Sequence, residues 1–341
     1  MAAGQAFLVG DIGGTNIRLA LWQRDGLKLE RRISSASVAS FLDFLRLVQC
    51  FWQELCEKTG SPPSAISLGV AGVVSANTAR GINLPWDVDG GVISKEMGCH
   101  VLILNDFEAA SWGILALEAQ KGLVNGRNVF HVINDGIPQV DRPCVILGAG
   151  TGLGESAIIP VNGGHKVLVT EGGHCDFASR TPLELELFVA LSHRYGRVSV
   201  ERLLSGQGLA EIHAFLVSRE SGQAFEEVTR WEPAKITSIA LSGADELCER
   251  ALNLFCSIYG AEAGNLFLKY LALGGVYVAG GIVTHILPYF LKSSFFEAFC
   301  DKGRLRFLME AAPVKVVCYD GLGMLGAGYV LACKQFDISS R

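Results

Sequence analysis

Two glycine-rich turns, each flanked by apolar runs, constrain the fold of this chain more than any other feature of its sequence. In the first, residues 7–12 (FLVGDI) and 16–22 (NIRLALW) flank the turn Gly13-Gly14-Thr15, and the second run alternates in polarity. A similar arrangement returns in residues 145–159 (VILGAGTGLGESAII). Alternation of this kind predicts β-strands, so each stretch predicts two strands joined by an exposed backbone turn.

The rest of the pattern predicts a mixed α/β chain with two lobes. A length of 341 residues, 50% of them hydrophobic, suffices for two sizeable cores. Apolar spacing predicts helices over residues 41–55, 108–118, 182–196, 208–220, 244–273, 283–299 and 321–334. Apolar runs predict strands over residues 65–74, 101–106, 144–150, 276–281 and 314–320, with loops over 77–91 and 122–143. We therefore predict a small α/β domain over residues 1–111, completed by the C-terminal helix 321–341, and a larger α/β domain over 112–320.

Charge, hydropathy and cysteine usage exclude several classes of protein. The 29 basic and 34 acidic residues give a net charge of -5 without a basic stripe, so we expect no nucleic-acid partner. The longest apolar stretch, residues 269–285, is shorter than the ~20 residues that a membrane helix needs, and the N-terminus lacks the pattern of a signal peptide. The ten cysteines contain no CxxC pair, which predicts reduced thiols and a cytoplasmic protein.

The two turns have the chemistry of phosphate-binding loops. Their glycines permit positive φ and expose backbone N–H groups to which phosphate oxygens can bind. The turn residues are Gly13, Gly14 and Thr15 in the first stretch and Gly150, Thr151 and Gly152 in the second. Asp11 ends the first strand, where its carboxylate would meet a phosphate-bound Mg²⁺ and its waters. The alternative for the first stretch is an ordinary hairpin turn, which also favours glycine.

A dinucleotide site is the main alternative for the second turn. Gly152, Gly154 and Ala157 formally fit the dinucleotide fingerprint, and Glu171 lies not far beyond them. That fingerprint requires a helix to begin at the glycines, whereas the residues that follow are β-like and include Pro160. The pattern therefore disfavours a dehydrogenase, and no P-loop sequence occurs.

Asp106 is the candidate catalytic base. It follows Asn105 at the end of a buried strand and precedes a helix, so it should lie at the carboxyl edge of a sheet, where α/β folds bind ligands. An alcohol that attacks a phosphoryl group needs a carboxylate to orient it and to accept its proton. The alternative is that Asp106 or Asn105 only caps the next helix.

The stretch EGGHCDF (171–177), together with Glu201, carries groups suited to a polyhydroxylated ligand. Glu171, His174 and Glu201 can accept and donate hydrogen bonds to adjacent hydroxyls. His174 and Cys175 are also a zinc alternative, although no second Cys or His stands at ligand spacing. The two glutamates would suit a glycoside hydrolase as well, but that chemistry requires no pair of phosphate-binding turns.

Seven stretches resemble the bacterial-type glucokinases of the hexokinase-actin superfamily, and together they span almost the whole chain. They are LVGDIGGTNIRLAL (8–21), ILNDFEAAS (103–111), LGAGTGLGES (147–156), EGGHCDF (171–177), VSVERLLSGQGL (198–209), VYVAGGIV (276–283) and GLGMLGAG (321–328). The resemblance implies an α/β, two-lobed hexokinase/actin-like (ribonuclease H-like) fold with the active site in the interlobe cleft. It also implies that the C-terminal helix returns to the N-terminal lobe.

The resemblance further implies roles for single residues. Asp106 would be the catalytic base, and Asp11 would contact Mg²⁺ through water. The residues that would hold glucose are Asn83, Asn105, Asp106, Glu171, His174 and Glu201. The residues that would bind ATP are Asp11, Gly13, Gly14, Thr15, Gly150, Thr151, Gly152, Gly280 and Gly281.

Two departures separate the chain from the related branch of repressors and kinases. The zinc-binding cysteine cluster of that branch is absent around His174, and no helix-turn-helix segment precedes Asp11. We therefore expect an ATP-dependent glucokinase that transfers the γ-phosphoryl group of MgATP to the 6-hydroxyl of D-glucose, closes on sugar binding and forms a homodimer. A sugar sensor, a broader hexokinase, an N-acetylhexosamine kinase and a polyphosphate donor remain alternatives.

Overall fold

The computed structural model describes residues 6–81 and 84–339, and elements are numbered within them in chain order. The strands are β1 (Phe7–Ile12), β2 (Asn16–Gln23), β3 (Gly26–Ser34), β4 (Ala65–Val70), β5 (Gly72–Ser75), β6 (Thr78–Gly81), β7 (Val88–Asp89), β8 (His100–Asn105), β9 (Leu123–Val124), β10 (Arg127–Asn128), β11 (Phe130–Asn134), β12 (Cys144–Ala149), β13 (Leu153–Val161), β14 (Gly164–Thr170), β15 (Gly275–Ala279) and β16 (Val314–Val317). The helices are α1 (Phe41–Thr59), α2 (Gly90–Met97), α3 (Asp106–Ala119), α4 (Pro182–Tyr195), α5 (Gly206–Ser221), α6 (Pro233–Ser242), α7 (Glu246–Tyr270), α8 (Gly281–His285), α9 (Leu287–Phe290), α10 (Phe295–Cys300), α11 (Arg306–Glu310) and α12 (Leu322–Ser339).

The chain divides into two compact units. Unit 1 runs to Val129 and resumes at Tyr319, and unit 2 runs from Phe130 to Cys318. The sequence pattern placed the first boundary after residue 111, which lies inside α3. The units instead divide after the end of α3, because this helix packs along α12 and both belong to unit 1.

Unit 1 is built on a five-stranded sheet with the order β3-β2-β1-β4-β8. β1 and β2 form the predicted antiparallel hairpin. β1, β4 and β8 are neighbouring parallel strands, so their carboxyl ends meet at one edge of the sheet. Helix α1 begins at the N-cap Ser40 and ends at Gly60, which adopts φ 73°. Its apolar face, which includes Phe44 and Phe51, is buried in the core of this unit.

The C-terminal helix α12 packs closely on α3 because both helices carry glycines at their contact. A Cβ on Gly326 would lie 1.9 Å from the carbonyl oxygen of Ala109, and one on Gly113 would lie 2.3 Å from that of Leu322. No larger side chain fits at either position. The small-residue stretch predicted to form a closely packed helix therefore does so against α3.

Unit 2 contains a six-stranded sheet with the order β11-β16-β15-β12-β13-β14. β12 and β13 form the second predicted hairpin, and β12, β15 and β16 are parallel neighbours. A strand therefore follows the second glycine turn where the dinucleotide fingerprint would require a helix. The long helix α7, which also contributes buried side chains to the core, packs on β12 and β15.

Three predicted segments differ from the structure. Residues 283–299, predicted as one helix, form α8, α9 and α10, because Pro288 lies in the first turn of α9 and cannot continue the preceding helix. The predicted loop 77–91 contains β6, β7 and the start of α2, and the predicted loop 122–143 contains β9, β10 and β11. In the described part of the chain, no helix combines the length and apolar character that a membrane crossing requires.

Candidate active site

The first glycine turn presents exposed backbone between β1 and β2. Gly14 and Thr15 are exposed, while Ser35 holds the turn from behind. The Ser35 hydroxyl donates to the carbonyl oxygen of Gly13 at 2.6 Å, and the Ser35 N–H donates to that of Thr15 at 3.0 Å. Gly13 does not adopt the left-handed φ that the sequence analysis allowed for it. The turn is therefore fixed by tertiary hydrogen bonds and leaves its outer face open to an anion.

Asp11 is deeply desolvated and lies near both basic and acidic side chains, Arg18 and Arg32 on one hand and Asp320 and Glu30 on the other. Arg18 is almost buried and pairs with Glu30 at 2.7 Å and with Asp320 at 3.1 Å. Burial raises the pKa of the Asp11 carboxyl, the Arg18 charge opposes that shift, and the Asp320 charge adds to it. A half-buried carboxylate in such surroundings fits a hard divalent cation, which would compensate for the desolvation. The residues present therefore suit Mg²⁺.

The carboxyl edge of the unit 1 sheet brings Asp11 and Asp106 to the same side. β4 lies between β1 and β8, with Asp11 opposite Gly69 and Val70 opposite Asn105. Two strand spacings separate β1 from β8 by about 10 Å across the sheet, and Asp106 lies two residues beyond Leu104, which is level with Asp11. That distance leaves room for a phosphoryl group and an attacking hydroxyl.

Asn105, rather than Asp106, is the N-cap of α3. Its side-chain oxygen accepts from the N–H groups of Phe107 at 2.9 Å and Glu108 at 3.2 Å, and its amide donates to the carbonyl oxygen of Gly72 at 3.0 Å. Asp106 is the first residue of the helix and is half-buried, with one carboxylate oxygen 3.0 Å from the Phe107 N–H. The amide of Asn105 is thus largely occupied by the fold. Asn83, the other predicted sugar ligand in this unit, lies outside the described residues.

The second glycine turn lies beside the start of α5. The Gly150 N–H donates to the carbonyl oxygen of Gly152 at 2.8 Å, and the carbonyl oxygen of Gly150 accepts from the N–H of Gly206, the first residue of α5, at 2.9 Å. Thr151 at its tip is exposed. Backbone N–H groups at a helix start favour anions, so this corner has the properties of a phosphate site.

Glu201 joins the second turn to the predicted sugar-binding stretch. One oxygen of Glu201 accepts from the Leu153 N–H at 2.9 Å, and its other oxygen lies 3.9 Å from Nε2 of His174. A Cβ on Gly152 would lie 2.5 Å from Oε2 of Glu201, and Gly152 does not adopt a left-handed φ. A side chain at 152 would therefore displace the Glu201 carboxylate from its present position.

The stretch that carries Glu171 and His174 is held by the segment before α5. The Glu201 N–H donates to the carbonyl oxygen of Gly173 at 2.8 Å, and Arg197 donates to Asp176 at 2.7 Å. Glu171 and His174 are both exposed. The structure therefore brings Gly152, His174 and Glu201 together, with Glu171 on the same short turn as His174.

Gly280 and Gly281 form an exposed corner at the end of β15. Gly280 adopts φ 100°, where a side chain would be strained, and a Cβ there would lie 2.5 Å from the carbonyl oxygen of Ala149. Thr284 closes the corner by donating its hydroxyl to the carbonyl oxygen of Gly280 at 3.1 Å. This corner and the second glycine turn therefore follow two neighbouring strands, β15 and β12.

Sequence reasoning missed Glu155, which lies behind the turn that carries Glu171. The residue is 1% exposed, and neither carboxylate oxygen has a hydrogen-bond partner among the described residues. A Cβ on Gly172 would lie 2.0 Å from Oε2 of Glu155. Burial, with a smaller contribution from Glu262, raises the pKa of Glu155 to about 8. The sequence signal was an acid inside the apolar run of β13.

Zinc was an alternative for His174 and Cys175. In the described residues, the donor atoms of His213, Asp245 and Cys248 lie within 4.8 Å of one another, and His174 and Cys175 do not belong to this group. The Asp245 carboxylate is the N-cap of α7 and accepts from the Cys248 N–H at 2.8 Å. Helix capping accounts for the position of this acid.

Comparisons with known proteins point to one family. The family model described as Glucokinase matches residues 8–334. A curated glucokinase from Synechocystis sp. is 39% identical over 97% of this chain and 99% of that relative. The crystal structure of a glucokinase from an Antarctic psychrotroph has a TM-score of 0.81 at 28% identity, covering 96% of this chain and 99% of that one. A glucokinase of the ROK family from Streptomyces griseus, solved with glucose and AMPPNP, has a TM-score of 0.64 at 18% identity, covering 95% and 98% of the two chains.

Proposed function

The chain belongs to the glucokinase family, and from that premise we propose that it transfers the γ-phosphoryl group of ATP to the 6-hydroxyl of D-glucose. The products are glucose 6-phosphate and ADP. The observation that carries the assignment of chemical roles is the position of Asp11 and Asp106 on one edge of the unit 1 sheet, with only β4 between their strands.

Asp106 acts as the base in this proposal. Its carboxylate orients the 6-hydroxyl of glucose and accepts the proton as the oxygen attacks the γ-phosphorus. The start of α3 fixes the backbone of Asp106, and Asn105 supplies the capping oxygen there. Asn105 and Asn83 are proposed to contact the sugar in addition.

Asp11 and the turn Gly13-Gly14-Thr15 bind the phosphate end of the nucleotide. The exposed N–H groups of the turn donate hydrogen bonds to phosphate oxygens, and Asp11 would hold Mg²⁺ through water. When bound, the cation neutralises charge on the β- and γ-phosphates. Asp11 contributes a fixed, half-buried carboxylate for it.

Unit 2 contributes the remaining groups. His174 and Glu201, whose side chains lie 3.9 Å apart, together with Glu171 bind adjacent hydroxyls of glucose, because a carboxylate and an imidazole complement a diol. Gly150, Thr151 and Gly152 bind phosphate, and Gly280 and Gly281 bind the adenosine. The ROK glucokinase from Streptomyces griseus, described in complex with glucose and AMPPNP, supports this pair of ligands for the shared fold.

Location and assembly complete the proposal. All ten cysteines are free thiols, which supports a reducing compartment such as the cytoplasm. We further propose a homodimer, since two-fold dimers are the commonest soluble assemblies. Light scattering would give its mass, and a monomer at working concentration would remove that part of the proposal.

Initial rates with MgATP test the function. Glucose, mannose, fructose, N-acetylglucosamine and no sugar are compared for the wild type, for Asp106→Asn and for Asp89→Asn. Asp89 is the N-cap of α2 in the same unit, so its variant is a matched control for replacing a carboxylate at a helix start. Asn caps a helix as well as Asp does at position 89, and Asp106→Asn leaves the α3 cap, Asn105, in place, so neither variant should unfold.

We expect glucose-selective turnover by the wild type. Asp106→Asn should lower kcat by about 10²–10⁴ while glucose affinity stays within a few-fold, because only the proton acceptor is lost. Asp89→Asn should retain wild-type kcat. Normal turnover by Asp106→Asn would remove that residue as the base, and glucose binding without turnover on any sugar would remove the kinase assignment.

A further inference from the structure

Tyr259 occupies a central place in unit 2, on the long helix α7. It is fully buried, and Phe255, Phe290 and Phe295 meet its ring edge-on at centroid distances of 5.9–6.0 Å. Packing against these three phenylalanine rings would be equally possible for a phenylalanine at this position. A buried tyrosine hydroxyl needs hydrogen-bond partners, so the partners explain why the residue is polar.

The hydroxyl of Tyr259 joins the ends of two strands. It accepts from the Ala149 N–H at 2.9 Å, at the last residue of β12. Its own hydrogen is within reach of the carbonyl oxygens of Ala279 at 3.2 Å, the last residue of β15, and of Leu147 at 3.4 Å. Because β12 and β15 are paired in parallel, with Gly148 opposite Ala279, both ends lie at the same edge of the sheet.

The two strand ends lead directly into the two exposed glycine corners. Ala149 precedes the turn Gly150-Thr151-Gly152, and Ala279 precedes Gly280. The backbones also touch, since a Cβ on Gly280 would lie 2.5 Å from the carbonyl oxygen of Ala149. A displacement of either corner would therefore be transmitted to the other through this contact.

We propose that Tyr259 is a positioning residue for nucleotide binding, whose hydroxyl sets the spacing between the phosphate turn at Gly150 and the adenosine corner at Gly280. The inference rests on the proposed nucleotide role of these two corners. Tyr259 touches no substrate and acts through the backbones of Ala149 and Ala279. The class of ligand that it serves is a nucleoside triphosphate, whose phosphates and base bind on the two corners at once.

The hydroxyl keeps its hydrogen over the working range of pH. Burial raises the pKa of Tyr259 far above its ordinary value. Replacing it by phenylalanine would keep the aromatic packing but leave the Ala149 N–H buried without a partner. Such a group is costly to bury, so the backbone next to the phosphate turn should shift to find another partner.

Unequal changes in KM for MgATP and KM for glucose distinguish a residue that positions the nucleotide site from one that only stabilises the fold. The full-length wild type, Tyr259→Phe and Tyr289→Phe are compared for KM of MgATP, KM of glucose and kcat, and calorimetry measures the Kd of AMPPNP and of glucose. Tyr289 is the matched control: its hydroxyl also donates to a backbone carbonyl in unit 2, that of Glu249 at 3.2 Å, but it adjoins neither corner.

We expect Tyr259→Phe to raise KM for MgATP and Kd for AMPPNP about tenfold, as for one lost buried hydrogen bond, with both glucose constants within twofold of the wild type. Tyr289→Phe should leave all four constants unchanged. Unchanged nucleotide constants in Tyr259→Phe, or an equal rise in the nucleotide and glucose constants, would overturn the inference. If the wild type failed to phosphorylate glucose, the proposed function would fall, whereas a tenfold weaker Kd for AMPPNP would still support the role of Tyr259.

Discussion

A Glu155→Gln variant should change how the stability of the protein depends on pH. The Glu155 carboxyl is enclosed behind the turn of Gly172, and its carboxylate oxygens have no hydrogen-bond partner among the described residues. The charged groups that act on it come from α7: Glu262 raises its pKa further, and Lys269 lowers it. Glutamine has nearly the same shape but cannot ionise, so the substitution isolates the effect of the proton.

The sign and size follow from proton linkage. The pKa of Glu155 rises from 4.5 to about 8 on folding, so between these values the folded protein holds a proton that the unfolded chain has lost. The stability contributed by this group is therefore fully present below pH 4.5 and falls as pH rises, until it is lost through pH 8. The slope is about -1.4 kcal/mol per pH unit, which amounts to about 5 kcal/mol over the whole window.

Urea unfolding across that window gives the test, with Glu186→Gln as a control that removes one exposed carboxylate from the same unit. The free energy of unfolding of Glu155→Gln relative to the wild type should rise with pH by about 1.4 kcal/mol per unit, and Glu186→Gln should run parallel to the wild type. Hydrogen exchange at the β13 and β14 amides would locate the effect in unit 2. Parallel profiles for the wild type and Glu155→Gln would refute the argument that this carboxyl is protonated in the folded protein.

Two further predictions concern glycines whose neighbours define what a methyl group would do. Gly152→Ala should raise KM for glucose about tenfold, because the added Cβ would lie 2.5 Å from the Glu201 carboxylate and would displace it. Gly164→Ala is the control, since its Cβ would meet nothing within 4 Å and should leave KM for glucose unchanged. Equal KM values for the two variants would contradict this prediction. Gly326→Ala should destabilise unit 1 by about 3 kcal/mol, because the added methyl group would overpack against the α3 backbone. In the same helix, a Cβ on Gly323 would meet nothing within 4 Å, so Gly323→Ala should stabilise unit 1 by about 0.5–1 kcal/mol. Thermal unfolding of both variants measures the difference, and a shift of the same sign in each would count against it.

Local pattern was enough to predict the two hairpins and most of the helices. The pairs β1–β2 and β12–β13 combine alternating polarity with a glycine turn, and both signals are contained in a few adjacent residues. The same reasoning missed β3 (GLKLERRIS), whose residues are mostly exposed at the edge of the sheet. An edge strand buries little, and after Leu27 and Leu29 the polar run Glu30-Arg31-Arg32 interrupts the apolar alternation from which the strand could have been predicted.

The sequence could not show why a particular residue stands at a position when the reason is a tertiary contact. The sequence suggested that the turn glycines serve conformational freedom. In the structure Gly152 has no left-handed φ and instead leaves room for the Glu201 carboxylate, which comes from another segment of unit 2. Glu155 and Tyr259 were hidden in apolar runs because their importance depends on their surroundings in the fold. The Glu155 carboxylate has no hydrogen-bond partner among the described residues, and the Tyr259 hydroxyl accepts from the Ala149 N–H. The strand–turn–strand arrangement could be predicted where the motif was local, as at the second turn, whereas the surroundings of single side chains could not, because they depend on packing.

The pair Asn105-Asp106 shows how the structure weakens one of two competing explanations. The sequence left Asp106 either as a helix cap or as a base, since an acid at the start of a helix serves both roles. In the structure the cap is Asn105, whose side-chain oxygen accepts two N–H groups of the first turn of α3. An acid at 106 adds only about 0.3–1 kcal/mol through the helix dipole, so capping does not account for its identity. Because Asp106→Asn leaves Asn105 in place, the loss of turnover expected for that variant would measure the chemistry of the carboxylate and not the folding of α3.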